Sequence, residues 1–140
     1  MKFVVDASVA VKWAIEEDHR QEARALLTSG SELVAPDFIC LEVGNILWKK
    51  VRLGEITAEQ AYAGLPGVTQ AFSRLVEVQS LVARALALAI ELDHPVYDCL
   101  YVATAEVESA PIVSADRRLL AALQATPFAS SAVHLREVAL

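Results

Sequence analysis

Lys2-Phe3-Val4-Val5-Asp6-Ala7-Ser8 opens the chain, and Pro111-Ile112-Val113-Ser114-Ala115-Asp116 shows the same pattern near its far end. Each is a short run of β-branched and apolar residues that stops on an aspartate, and each is followed by a segment of helical periodicity. A strand that is apolar on both faces fits a parallel sheet covered by helices on both sides. These two runs therefore set the expectation of an α/β fold in three layers, a short parallel sheet flanked by helices, with acids at the carboxyl ends of the strands.

Outward from them the elements alternate. Residues 8–14 and 18–28 read as helices, and Leu33-Val34-Ala35 as a strand ended by Pro36. Asp37 is expected to cap a long helix running to about Arg52, with Gly54 just beyond its end. Thr57 and Gln60 form a capping box for the next helix. Gly64-Leu65-Pro66-Gly67 is expected to break that helix, with a further segment running to Arg74. Residues 75–78 read as a half-buried strand, and 80–92 and 95–109 as helices, the latter with Pro95 suited to its first turn. Residues 112–113 are a buried strand, 117–124 a helix and 132–135 an edge strand. There is no internal repeat, linker or low-complexity tract, so residues 1–140 are expected to form a single domain.

Four acids stand inside or at the edge of apolar runs: Asp6, Glu42 in Phe38-Ile39-Cys40-Leu41-Glu42-Val43, Asp98 in Pro95-Val96-Tyr97-Asp98-Cys99-Leu100, and Asp116. Carboxylates are rarely buried unless paired or metal-bound, and no Lys or Arg lies within these runs. Two of them ~4 Å apart would repel by roughly 4 kcal/mol even at a surface-like dielectric. A divalent cation is the simplest resident that makes such a cluster tolerable. Each acid also has a plainer reading: Asp6 and Asp116 as helix caps, Glu42 as a solvent-facing residue, Asp98 as the stabiliser of a helix start.

Composition narrows the class. The net charge of −6 argues against a tight general nucleic-acid binder, but four of the 18 acids are the site candidates, and without them the balance is −2. An enzyme gripping a short phosphodiester through metal stays open, with Lys12, Lys49, Lys50, Arg52, Arg117 and Arg118 as local cations. Hydrophobic residues make up 55% of the chain, which implies a large core or an apolar face kept for a partner. The most apolar stretch, residues 81–92, carries Arg84 and Glu91 and is too short to cross a bilayer. Met1 to Val5 runs straight into an acid and does not read as a signal peptide. Cys40 and Cys99 read as small buried hydrophobes of a reducing compartment, so a cytoplasmic location is expected. His19, His94 and His134 are scattered without ligand spacing, and Trp13 and Trp48 read as packing or interface anchors.

Taken together, four segments carry a family resemblance. Val4-Val5-Asp6-Ala7-Ser8, Leu41-Glu42-Val43-Gly44-Asn45, Tyr97-Asp98-Cys99-Leu100-Tyr101 and Val113-Ser114-Ala115-Asp116-Arg117 resemble, in order and spacing, the motifs of PIN-domain ribonucleases, and among these the VapC-like toxins of toxin–antitoxin pairs. The resemblance spans residues 2 to about 135, and residues 53–75 carry no signature. It implies a Mg²⁺-dependent endoribonuclease, with Mn²⁺ able to substitute. Asp6, Asp98 and Asp116 would be the metal ligands, and Glu42 a base or the ligand of a second ion. Ser8, Asn45 and Ser114 would be supporting residues. It also implies an RNA substrate, a homodimer, and a VapB-like antitoxin anchored near Trp13, Ile15 and Trp48.

The alternative from a different class is a catalytically silent PIN-fold module for RNA binding or protein interaction. A haloacid-dehalogenase-type phosphatase would need a second Asp where Ser8 stands. A receiver domain would need adjacent early acids and a late Lys that this chain lacks.

Overall fold

Five parallel strands form one sheet in the computed structural model, which describes residues 1–140. In chain order the elements are β1 (Lys2–Val5), α1 (Ala7–Ala14), α2 (Arg20–Leu27), β2 (Glu32–Pro36), α3 (Ile39–Arg52), α4 (Ala58–Ala71), β3 (Arg74–Val76), α5 (Val82–Leu92), α6 (Val96–Glu108), β4 (Ile112–Ser114), α7 (Arg117–Gln124) and β5 (Ala132–His134). The strand order is β3-β2-β1-β4-β5. Register is set by Phe3 opposite Leu33, Val5 opposite Val113, Ala35 opposite Leu75 and Ser114 opposite His134.

The apolar runs are explained by burial on both faces. Successive side chains of a strand point to opposite sides. Val4 packs into a large core with Val34, Ile39, Val43, Tyr101 and Ile112. Its neighbours Phe3 and Val5 pack into a smaller core with Leu33, Val113, Ala23, Leu26 and Leu135. Lys2 at the start of β1 reaches the nearly buried Glu108 at 3.2 Å, which Arg74 also approaches at 3.3 Å, pinning the amino-terminal edge of the sheet.

The connections explain where a site can form. From β1 the chain moves outward to β2 and β3, then returns through α5 and α6 to β4 on the other side of β1, and on to β5. The strand order therefore reverses between β1 and β4. Crevices outside the carboxyl ends of open α/β sheets form at such reversals.

Several local expectations are corrected. Asp37 does not cap α3, whose N-cap is Phe38 without a side-chain bond; the Asp37 carboxylate instead accepts from the Val78 amide at 3.1 Å. Glu42 consequently falls in the first turn of α3. Pro95 is the N-cap of α6 rather than a residue of its first turn. Gly64-Leu65-Pro66-Gly67 does not break α4, which continues to Ala71 with Pro66 inside it. The reason is tertiary: α4 packs against α1, and a Cβ on Gly64 would meet the Ala14 carbonyl oxygen at 2.5 Å. The glycine is there for close approach, and packing outweighs the local breaker signal. The Thr57–Gln60 capping box forms as read, with reciprocal bonds of 2.8 and 3.1 Å. Both cysteines are free, Cys99 buried and Cys40 partly so.

The two glycines of α4 should respond oppositely to alanine. Gly64→Ala drives a methyl group into backbone and should cost about 1–3 kcal/mol. Gly67→Ala meets nothing within 4 Å and should gain about 0.5–1 kcal/mol. Urea denaturation of the two variants measures both; equal shifts would contradict the close approach of α1 and α4.

Candidate active site

Asp6 follows the last residue of β1 in extended conformation and caps α1, so its carboxylate is held at the carboxyl edge by backbone geometry. It is 5% exposed. Its Oδ1 accepts from the Ser8 hydroxyl at 2.6 Å and from the Val9 amide at 3.3 Å, and its Oδ2 accepts a short bond from the Ser114 hydroxyl. Ser114 ends β4, the strand beside β1. Both serines also accept backbone bonds from the segment leading into α7. The Ala115 amide donates to Ser8 Oγ and the Asp116 amide to Ser114 Oγ, each at 2.9 Å. Asp116 then caps α7, accepting from Arg118 at 2.9 Å and Leu119 at 3.4 Å. Asp6, Ser8, Ser114 and Asp116 thus form one continuous network across the ends of β1 and β4. Asp6 and Asp116 are both helix caps, as their plainer reading has it, and both stand just past the carboxyl ends of the adjacent strands β1 and β4.

Glu42 and Asp98 enter from helices. Together with Asn45 and Lys49 on α3 and Tyr97 on α6 they line a cleft of about 680 Å³. The fully buried Tyr101, three residues after Asp98 on α6, donates its phenol to Glu42 Oε1 at 2.6 Å. His94 Nε2 lies 2.8 Å from Asp98 Oδ2. Asn45 projects into the cleft without a side-chain hydrogen bond of its own. At the rim the Phe38 and Tyr97 rings stack 5.4 Å apart and 11° from parallel.

Tyr101 and His94 were not among the residues singled out from sequence. The i+3 spacing from Asp98 and the i−4 spacing to it were the available signals, and neither stands out in a helix rich in apolar residues. His94 was read as having no part here, yet it holds Asp98.

The four acids lie near enough for their charges to act on one another. Burial pushes the Glu42 carboxyl up to about 7, opposed by the Tyr101 hydrogen bond and reinforced by the charges on Asp98, Asp6 and Asp116. Burial also lifts Asp6 to about 6 against its hydrogen bonds to Ser114, Ser8 and Val9, with Asp116 adding to the rise. Burial and the Glu42 charge drive the Tyr101 phenol well above its usual range, so it remains a donor. Burial and then Asp98 hold the Cys99 thiol up at about 11, which removes it as a nucleophile near neutral pH.

No Lys or Arg forms an ion pair with any of the four acids. Each carboxylate is held by a separate donor, and as the side chains stand no three His, Cys, Asp or Glu groups close around one point. A set of under-compensated carboxylate oxygens is the donor chemistry that suits a hard divalent cation. Asp6, Asp98 and Asp116 are the carboxylates that could serve as its ligands.

These shifts have a sign that can be tested. A carboxyl raised in the folded state binds more protons there than in the unfolded chain, so stability falls as pH rises between the two pKa values. For Asp6 and Glu42 the window runs from about 4 to about 7, and above it the curve levels. Asp6→Asn should flatten the lower part of this slope and raise the melting temperature of the metal-free protein at pH 7.5. A lower melting temperature at that pH would show that the Asp6 charge is structural.

Residues 3–124 match the family model described as PIN domain. Ribonuclease VapC3 of Pyrobaculum aerophilum is 34% identical over 122 residues, covering 85% of this chain and 92% of that protein. Exonuclease VapC9 of the same organism is 30% identical over 125 residues, covering 86% and 85%. The crystal structure of PAE2754 from Pyrobaculum aerophilum superposes with a TM-score of 0.72 at 25% identity, covering 97% of this chain and 90% of that one. With its five-stranded parallel sheet and its acids gathered at the β1–β4 reversal, this chain belongs to the PIN-domain family, in its VapC-like branch.

Proposed function

We propose that the chain is a Mg²⁺-dependent endoribonuclease acting as a VapC-like toxin. The observation that carries this reading is a group of four acids at the carboxyl edge, Asp6 and Asp116 at the strand ends and Glu42 and Asp98 in the adjoining cleft, with no Lys or Arg paired to any of them. The name Ribonuclease VapC3, borne by a relative that this chain matches over most of its length, supports it.

Mg²⁺, or Mn²⁺ in its place, would be held by Asp6, Asp98 and Asp116, and when bound it supplies charge neutralisation at the phosphodiester and a lowered pKa for the attacking water. The protein's own groups do the remainder. Ser8 and Ser114 fix both oxygens of Asp6, so the carboxylate is oriented before any ligand arrives. Glu42, poised near 7 and steered by Tyr101, takes the proton of the attacking water at neutral pH. Asn45 and Lys49 offer a neutral and a charged donor to phosphate oxygens in the same cleft.

Internal cleavage fits the position of the acids. They sit mid-edge, with the α3–α6 cleft on one side and the ends of β4 and β5 on the other, so the strand can pass across them. Because one relative is named an exonuclease, the substrate of choice is a circular single-stranded RNA. Linearisation in Mg²⁺ by the wild-type chain, and none by Asp98→Asn with an unchanged circular dichroism spectrum, is the expected result. Cleavage of linear RNA alone would make it an exonuclease. No cleavage of any RNA in Mg²⁺ or Mn²⁺ would leave a PIN-fold binding module.

The toxin reading brings partners. No helix is long and apolar enough to cross a membrane, and the protein is proposed to act in the cytoplasm. The anchors expected for a VapB-like antitoxin shift with the structure. Ile15 is buried, and the Trp13 indole donates to the Ala23 carbonyl at 2.8 Å and packs edge-on against Phe72. Trp48 is half exposed, and with Tyr62 and Leu65 it lines an apolar groove between α3 and α4. That groove shares α3 with Glu42, so an apolar antitoxin segment seated there would direct a basic residue at the acids. Val82, Leu86 and Ile90 make an exposed stripe on α5 suited to a second copy of the chain. Inhibitor binding and Mg²⁺ should then be antagonistic. Titration of the inhibitor with and without millimolar Mg²⁺ tests this, and equal affinities would place the inhibitor away from the acids.

A further inference from the structure

We infer that the concave surface formed by Arg117, His134 and Arg136 at the carboxyl end of β5 seats a backbone phosphate of the RNA strand, flanking the bond that is cut. The inference rests on the nuclease reading above and extends it to how a net-acidic protein holds its substrate.

The distribution of cations carries the argument. Lys2, Lys12, Arg20, Lys50, Arg74 and Arg84 are engaged in ion pairs with glutamates. Arg52 lies over the Trp48 ring, 5.5 Å from its centre. The cations left without an acidic partner are Arg24, Lys49, Arg117, Arg118 and Arg136. Apart from Arg24, all lie beside the acids: Lys49 in the α3–α6 cleft, Arg117 and Arg118 directly after Asp116, and Arg136 just past β5. In a chain of net charge −6, cations free of acids gather along one edge of the sheet.

The concavity, about 510 Å³, lies between α7 and β5 and has Glu137 as its single acid. His134 accepts the Arg136 amide on Nδ1 at 3.1 Å. In the neutral ring the proton therefore sits on Nε2, which becomes a donor for an anionic oxygen. Burial lowers the His134 pKa, and the charges on Arg117 and Arg136 lower it further against Glu137, so both guanidiniums lie close enough to the ring to act on it. Two guanidiniums and a ring N–H around one hollow are phosphate chemistry.

Topology supplies the spacing. His134 lies opposite Ser114 in the β4–β5 register, and Ser114 bonds Asp6 across the next strand pair. At ~4.8 Å per strand, His134 is about 10 Å from the Asp6 end of β1 along the carboxyl edge. An extended single strand spaces its phosphates wider than the ~3.4 Å axial rise of a duplex strand, so a phosphate one or two nucleotides from the cut bond reaches the hollow. The substrate path thus runs from the Phe38–Tyr97 stack, past Lys49 and the acids, to the basic hollow.

The test is RNA binding in Mg²⁺ by the full chain carrying Asp98→Asn, followed by fluorescence anisotropy with a labelled 12-nucleotide single strand and a dinucleotide. Adding Arg117→Gln and Arg136→Gln should weaken the 12-mer about tenfold. It should also make the dependence of log K on log salt shallower by about 1. Dinucleotide affinity should stay unchanged, because its single phosphodiester lies at the acids and leaves no phosphate for the hollow. Arg24→Glu, which changes the net charge by the same two units, serves as the control. An unchanged 12-mer affinity and salt slope would overturn the inference and leave the hollow to a protein partner. So would an equal effect of Arg24→Glu, or an equal loss for the dinucleotide. Failure of the nuclease reading shows separately, as absence of RNA cleavage by the wild-type chain, since the titration does not depend on turnover.

Discussion

The hydrogen bond from the Ser114 hydroxyl to the Asp6 carboxylate joins residues 108 positions apart, and the site is organised around it. It closes the carboxyl ends of β1 and β4 at the one place where the strand order reverses. Ser8 completes the junction by bonding Asp6 with its proton and the Ala115 amide with its oxygen. A reversal leaves an opening between diverging connections. In this protein the opening is floored by a buried carboxylate whose two oxygens are already committed in direction.

That arrangement is electrostatically costly when empty. Asp6 and Glu42 are shifted upward by burial and by their acidic neighbours, so the folded state resists full ionisation of its own site. The protein limits the cost with neutral donors: the two serines on Asp6, Tyr101 on Glu42, and backbone amides on Asp116. Neutral hydrogen bonds orient a carboxylate without cancelling its charge, whereas a lysine in the same place would. The site stays anionic while remaining ordered.

The remaining charges follow the same division. Half of the twelve lysines and arginines are paired with glutamates, among them Lys2 and Arg74 on the nearly buried Glu108 at the opposite edge of the sheet. Of those without partners, Lys49, Arg117, Arg118 and Arg136 stand on elements that meet at the carboxyl edge, and Arg24 does not. An acidic overall balance therefore coexists with local groups of unpaired cations, and net charge alone is a poor guide to what a small protein binds.

Much was legible in the residues themselves. The alternation of apolar runs and helical segments identified the parallel sheet, because burial on both faces leaves a strand no polar positions. Asp6 and Asp116 were legible as strand-end acids and caps, since both roles depend on immediate neighbours. What depends on distant chain segments was not. Asp37 was misread because its true donor, Val78, arrives from 41 residues away. Pro66 and the glycines around it were read as a break because the packing of α4 on Ala14 is invisible locally. Tyr101 and His94 gained their roles only when α6 was laid beside α3 and its own preceding turn. Sequence by itself determined which elements exist and which acids have no local partner, because these follow from periodicity and desolvation within a few residues. Tertiary structure alone decided that four such acids share one field, because the strand order that gathers them is set by how helices pack across the sheet.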